Sequence, residues 1–277
     1  MFDTHCHLNF SAFENNLEDV VNEAKNKGVN FFVVPGTDIE TSKKAVKIAQ
    51  KYQGVFAAVG IHPHHIFQIK DYSLEKIKNH LLEEIEKLIK QEKVVAVGEI
   101  GLDRYIYQKT KYESYQINEE FVNLQKFFFT EQLKLGAKYQ KTVIIHNRQA
   151  KADLLEILNS NKKLVANSKM VFHCCEADEA LLDFAKKNHI FIGVDGDVTY
   201  DQKKQEFVKN VPLEMLVIET DSPFLTPTPL RDNPKTKFPN TPKNLLIITQ
   251  KIAEIKNVNI DKIKKITFKN SLELFNL

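Results

Sequence analysis

Tryptophan is absent from the 277 residues, and cysteine is scarce, with three. Three thiols, at Cys6, Cys174 and Cys175, cannot build the disulfide framework of a small secreted domain, so a reducing, cytoplasmic location is expected. Long hydrophobic runs are missing as well. The apolar stretches are of strand length, far below the roughly 20 residues a membrane helix needs, so no membrane association is expected. The chain opens inside its first apolar run, which leaves no room for a cleaved leader. Excess charge of one sign is also missing: 39 basic and 36 acidic side chains leave a net +3. So weak an overall field does not draw in a polyanion, and any phosphate recognition has to be local. Abundant Lys, Asn, Ile and Phe reflect genome composition rather than function.

What is present suffices for a sizeable core. Hydrophobic residues make up 43% of the chain and charged residues 27%, an ordinary soluble balance. Eight strand-like runs can be counted: Met1–Cys6, Asn30–Pro35, Val55–Ile61, Val94–Ile100, Thr142–His146, Met170–Cys174, Ile190–Val194 and Leu216–Thr220. Most are continuously apolar rather than alternating, as suits strands covered outside by helices. Between them, apolar residues recur at helical spacing, as in Leu17, Val20, Val21 and Ala24, and in Ile77, Leu81, Ile85 and Leu88. Similar stripes run through Phe121–Phe128, Ala177–Ala185 and Leu245–Ile255, and a last helix is expected near Ile260–Phe275. Eight β–α alternations without a linker or low-complexity tract predict an α/β fold, a (β/α)8 TIM barrel in one domain over 1–277. A doubly wound open sheet is the structural alternative.

Metal-ligand residue types end several of these runs. His5 and His7 follow the first, Glu99 ends the fourth, His146 the fifth and His173 the sixth, and Asp221 follows the eighth. One His-x-His arises often by chance. A set delivered to several strand ends is what a metal site at the C-terminal mouth of a parallel barrel needs. Side chains alternate with period two on a strand, so His5 and His7 can converge while Cys6 turns aside. Glu99 has two oxygens and can bridge two cations; Asp221 would complete the first cation's shell, and His146 with His173 the second's. Two divalent cations are expected, with Mg, Mn or Zn as candidates. Such a pair lowers the pKa of a water and clamps the oxygens of an in-line displacement.

Further residues surround this set. His62 and His64 flank Pro63 after the third run and can face the mouth. They would contact substrate phosphate, His64 foremost, while His62 could equally pack against the rim. Arg148, two beyond His146, offers a planar fork to phosphate, or else a salt bridge to a strand-end carboxylate. His65, His80 and His189 read as ordinary surface residues, and Cys174 and Cys175 as packing. Two long connections leave strand ends: Arg104–Asn118, with Tyr105, Tyr107, Tyr112 and Tyr115, and Ser222–Pro242, with six of the nine prolines. Tyr105 and Tyr107 among basic side chains suit base stacking, or else pack on the rim.

The motifs carry a family resemblance. Asp3-Thr-His-Cys-His-Leu8, Gly60-Ile-His-Pro-His64, Gly98-Glu-Ile-Gly-Leu-Asp103, Gln125 to Leu135, Val143-Ile-Ile-His-Asn-Arg148 and Glu219-Thr-Asp-Ser-Pro-Phe-Leu-Thr-Pro227 resemble, in order, those of the TatD family of metal-dependent deoxyribonucleases. Arg231 and Asn240-Thr-Pro242 also resemble that family's loop after strand 8. The resemblance spans nearly the whole chain. It implies a TIM-barrel hydrolase cleaving phosphodiester bonds of DNA, with metal ligands at His5, His7, Glu99, His146, His173 and Asp221. On that reading Glu99 and Asp221 are catalytic, Asp221 serving also as general base. Arg148, His64, His62 and Tyr105 contact the substrate, and a monomer is expected. Two segments depart from the family pattern: Cys175-Glu176-Ala177, where an aromatic, a Ser and a Gly are usual, and Val194-Asp-Gly-Asp197, where Phe-Ser-Gly is frequent. Their acids should oppose a polyanion. The segment after Asp103 also looks longer than usual for the family. An amidohydrolase or deacylase using the same centre is the rival enzyme reading, and an idle nucleic-acid-binding or scaffold protein the rival outside catalysis.

Overall fold

Each apolar run becomes a strand, and the strands pair in chain order, each parallel to the next, in a computed structural model. It describes residues 1–69 and 74–277, with side chains described outside 68–79. The strands are β1 (Phe2–Asp3), β2 (Phe31–Pro35), β3 (Val55–Val59), β4 (Val94–Asp103), β5 (Thr142–Arg148), β6 (Met170–Phe172), β7 (Phe191–Val194) and β8 (Leu216–Ile218). Backbone bonds from Thr4 N to Ile218 O, Asp221 N to His5 O and His7 N to Ser222 O join β8 to β1. The sheet is thereby closed into a (β/α)8 TIM barrel, not an open sheet.

Helices cover the outside, and amphipathic stripes determine their inner faces. The first two are α1 (Leu17–Asn26) and α2 (Ile39–Lys51), followed by α3 (Leu74–Ile89), α4 (Glu119–Lys138) and the pair α5 (Lys151–Ser160) and α6 (Lys162–Ala166). Then come α7 (Glu179–Asn188), α8 (Gln202–Asn210), α9 (Leu245–Lys256) and α10 (Ile260–Phe275). Val20, Val21 and Ala24 of α1 are buried, as are Phe121 and Phe128 of α4 and Leu181 and Ala185 of α7. Ile85 and Ile89 of α3 are buried too; Ile77, expected on the same stripe, lies outside the described side chains. Among the described residues no helix is long and apolar enough to cross a membrane.

Strand bounds differ from the sequence reading at the mouth. β1 and β8 end early because Thr4–His7 and Glu219–Ser222 carry polar side chains that bond across the seam instead of extending the ladder. Asp3 accepts from Thr220 N at 3.0 Å, Thr220 Oγ1 at 2.6 Å and His5 N at 3.3 Å. β4 runs longer than expected, to Asp103, pairing with β5 as far as Arg148 after a shift of register between Val97 and Ile100. Gly101 permits this: its φ is 146°, and a Cβ there would lie 1.9 Å from His146 O.

The opposite end is sealed by α10. Phe2, Val33, Ala58, Ala96, Ile144, Val171, Phe191 and Val217, drawn from all eight strands, form one buried cluster with Leu274 and Phe275. The rings of Phe2 and Phe275 stack at 5.7 Å. This floor leaves the C-terminal mouth as the open end, where barrel enzymes place their chemistry.

Candidate metal centre

Glu99 stands at the middle of the mouth, nearly buried, and its two oxygens face different neighbours. Oε2 lies 3.4 Å from His5 Nε2 and 3.7 Å from His7 Nε2. Oε1 lies 2.8 Å from His146 Nδ1 and 3.5 Å from both His173 Nε2 and His62 Nε2. Asp221 Oδ1 completes the first group, 3.7 Å from His5 Nε2 and 3.4 Å from His7 Nε2, which are 3.2 Å from each other. The seam bonds between β1 and β8 fix this approach. Asp221 itself adopts φ 50°, a left-handed conformation in which aspartate is among the better-tolerated residues.

The donor set fits divalent cations. Ligand atoms 3.2–3.7 Å apart, as among His5, His7 and Glu99, have the edge length of a tetrahedron whose corners lie about 2.1 Å from its centre, the usual zinc–nitrogen or zinc–oxygen distance. A second group, Glu99, His146 and His173, also places ligand atoms within 4.8 Å of one another.

The protonation pattern agrees. Burial opposes the charge on Glu99, but His62, His173 and His146 around it hold its pKa well below the usual carboxylate range. Burial also works against a charged His146, yet bonds to Asp103 and Glu99 raise it to about 9. For His173, Glu219 and Glu99 overcome burial and raise it to about 10.

Two residues that the sequence reading did not single out act here. Glu219, fully buried, accepts from His173 Nδ1 at 2.9 Å and from Cys174 N at 2.6 Å, so it fixes the ring that turns Nε2 toward Glu99. Gly193 makes room for it, since a Cβ there would lie 2.6 Å from Glu219 Oε1. Asp103 lies 3.2 Å from His146 Nε2 and accepts from Tyr107 Oη at 2.7 Å. Period-two spacing was the available signal: Asp103 follows Glu99 by four residues, and Glu219 precedes Asp221 by two.

The remaining site residues divide. His62, not His64, turns to Glu99. His64 also lines the cavity, but it meets Thr110 Oγ1 at 2.9 Å and sits among Tyr107, Tyr112 and Tyr115 of the loop after β4. Arg148 lines the mouth and stacks on Tyr105 at 3.9 Å, donating to Tyr107 Oη at 3.2 Å. Among the described residues it makes no ion pair, so the alternative reading of Arg148 as a salt-bridge partner is not met. His65 is no simple surface residue: it is half-buried, with Nδ1 2.6 Å from Tyr112 Oη. His80 and His189 are exposed. Cys6 turns into the packing toward Val33 O, whereas Cys174 lines the cavity. Glu176 accepts from Asn147 Nδ2 and Gln149 N, and Asp197 is matched by Lys204 at 3.1 Å.

A family model for TatD-related DNases matches residues 2–276. The chain belongs to this family. It is 32% identical to the metal-dependent hydrolase YabD of Bacillus subtilis, covering 100% of this chain and 99% of that protein. It is likewise 32% identical to the metal-dependent hydrolase MG009 of Mycoplasma genitalium, over 99% and 98%. The solved structure of YjjV, a TatD homologue of Escherichia coli, matches with a TM-score of 0.83 at 28% identity, over 100% of this chain and 98% of that one. The phosphotriesterase homology protein of Escherichia coli, at 14% identity and a TM-score of 0.65 over 99% and 98%, shares the fold. The chain is thus a TatD-family metal-dependent hydrolase on a (β/α)8 barrel.

Proposed function

We propose that the protein is a two-cation phosphodiesterase acting on DNA. The observation that carries this reading is the division of Glu99, one oxygen facing His5 and His7 and the other His146 and His173. His5, His7, Glu99 and Asp221 would hold one divalent cation, and Glu99, His146 and His173 the other. Such a pair supplies Lewis-acid charge at phosphate oxygens and makes a water more acidic.

The protein's own groups do the rest. Asp221 is more exposed than Glu99 and lines the cavity, so it can take the proton of the attacking water. Arg148 offers its fork to a non-bridging oxygen, held edge and face by Tyr107 and Tyr105. Phe10, stacked on the His7 ring at 4.3 Å, and the half-exposed Phe224 form an apolar wall suited to a base or sugar. The cavity, about 820 Å³, admits a nucleotide and its neighbours. A monomeric, cytoplasmic enzyme of one domain completes the reading.

The test is cleavage of end-labelled single- and double-stranded DNA and RNA with Mg, Mn or Zn, with and without chelator, beside amide and acyl-ester substrates. Chelator-sensitive cutting of DNA is expected. Turnover of the carbonyl substrates with intact DNA would replace this reading by a deacylase.

A further inference from the structure

Next to the Glu99 centre, the ends of β6 and β7 bring together a different set of donors. Cys174 Sγ and carboxylate oxygens of Asp195 and Asp197 lie within 4.8 Å of one another. Asp195 is fully buried; its Oδ1 accepts from Asp197 N at 2.8 Å, while its buried Oδ2 accepts from nothing. Asp197 Oδ1 is also buried without a partner. Buried carboxylate oxygens normally have hydrogen-bond or ionic partners, so two orphaned oxygens in one cluster call for a proton shared between the two acids or a cation bound by both.

Lys204 does not fill that role. Its buried ammonium lies 3.1 Å from Asp197 Oδ2 and donates to Cys175 O, leaving the orphaned oxygens unmatched. Two carboxylates against one ammonium leave a net charge of one minus. Cys174 and Asp197 line the same cavity as His173 and Asp221, so an ion can enter from solvent.

We propose that Cys174, Asp195 and Asp197 bind a divalent cation of the zinc, cobalt or cadmium class, additional to those at Glu99. One sulfur with carboxylate oxygens favours these borderline and soft ions over magnesium. Three protein ligands leave a position open to the cavity. Binding releases the Cys174 proton to solvent. The cation also converts an acidic patch beside the substrate path into one that tolerates a phosphate. The site does not depend on how the Glu99 centre is assigned.

The full-length protein, stripped of metal, is titrated with Co²⁺. Ions held by histidine and carboxylate give visible bands only, whereas a cobalt–thiolate bond adds near-ultraviolet charge-transfer absorption. That absorption is expected in the wild type and in Cys6→Ser and Cys175→Ser, and lost in Cys174→Ser. Bound cadmium, measured by elemental analysis, is expected to fall by one equivalent in Asp195→Asn. Saturation of the wild type without thiolate absorption, or its persistence in Cys174→Ser, would overturn the site. The two carboxylates then share a proton instead. The wild-type titration decides even if a variant fails to fold.

Discussion

At the scale of single residues, what matters is which atom faces which. Glu99→Gln keeps the shape of the side chain and removes the charge that faces both histidine groups. Turnover should fall on the order of 100-fold or more with the melting temperature unchanged, because ligand-shell changes of this kind act on metal binding. Wild-type kinetics in that variant would show that Glu99 bridges nothing. Glu219→Gln addresses the support rather than the ligand: His173 loses its anionic partner, and metal affinity by calorimetry should drop roughly 10–100-fold. An unchanged affinity would leave Glu219 a purely structural acid. Protons compete with metal here. His146 at about 9 and His173 at about 10 are charged at neutral pH in the metal-free protein, so uptake must displace those protons. Affinity should rise as pH rises toward those values, and calorimetry in buffers of different ionisation heat should record the release. In the metal-free state the sign for folding is opposite. Both folded-state values exceed the ordinary histidine value of about 6.5, so their stabilisation is complete below that pH and lost as pH climbs through 9 to 10. Affinity that falls with pH would refute the competition.

At the scale of elements, strands were more legible than their ends. All eight runs became strands, because continuous Val, Ile, Ala and Phe can be buried on both faces only in such a sheet. The short β1 and β8 were not legible, since what stops them is a seam contact between Asp3 and Thr220, over 200 positions apart. The stripes of α1, α4 and α7 could be read, whereas α8, Gln202–Asn210, buries chiefly Lys204, Phe207 and Val208 and gave little apolar signal. His5, His7, Glu99, His146, His173 and Asp221 could be read as one cluster because each closes or closely follows an apolar run of the sequence, although Glu99 and His146 lie inside β4 and β5 and the others just past their strands. Asp103 was passed over because it seemed to lie beyond the strand that Gly101 in fact allows to continue. The loop after β4 divides in a way spacing could not resolve. Tyr112 and Tyr115 pack against the core with Phe67, while Tyr105 and Tyr107 hold Arg148. Tyr115→Ala should therefore destabilise by about 2 kcal/mol, below the full cost of truncating a buried aromatic because the ring is half-buried. Tyr105→Ala should raise KM for oligonucleotides, with a stacking loss of roughly 1–3 kcal/mol per base, and raise it less for a small chromogenic phosphodiester, which loses only the support of Arg148. Equal losses on both substrates would leave Tyr105 the support of Arg148 and no stacking platform.

At the scale of the whole molecule, chemistry and closure occupy opposite ends. The mouth carries the polar groups, and the floor is an apolar plug in which Leu274 and Phe275 meet residues from all eight strands. Phe275→Ala should cost about 3–5 kcal/mol in urea unfolding, as for other buried aromatics, with metal affinity of the folded protein unchanged. A matching loss of affinity would mean that floor and mouth are coupled. The plug also sets a clock on biosynthesis. Phe2 is translated 273 residues before its stacking partner Phe275, on the order of tens of seconds earlier at usual elongation rates. Until then the nascent barrel has no floor, and its inner apolar surface faces the crowded exit of the ribosome. A ribosome-associated chaperone should therefore hold this chain through the interval between β1 and α10, releasing it only once α10 emerges.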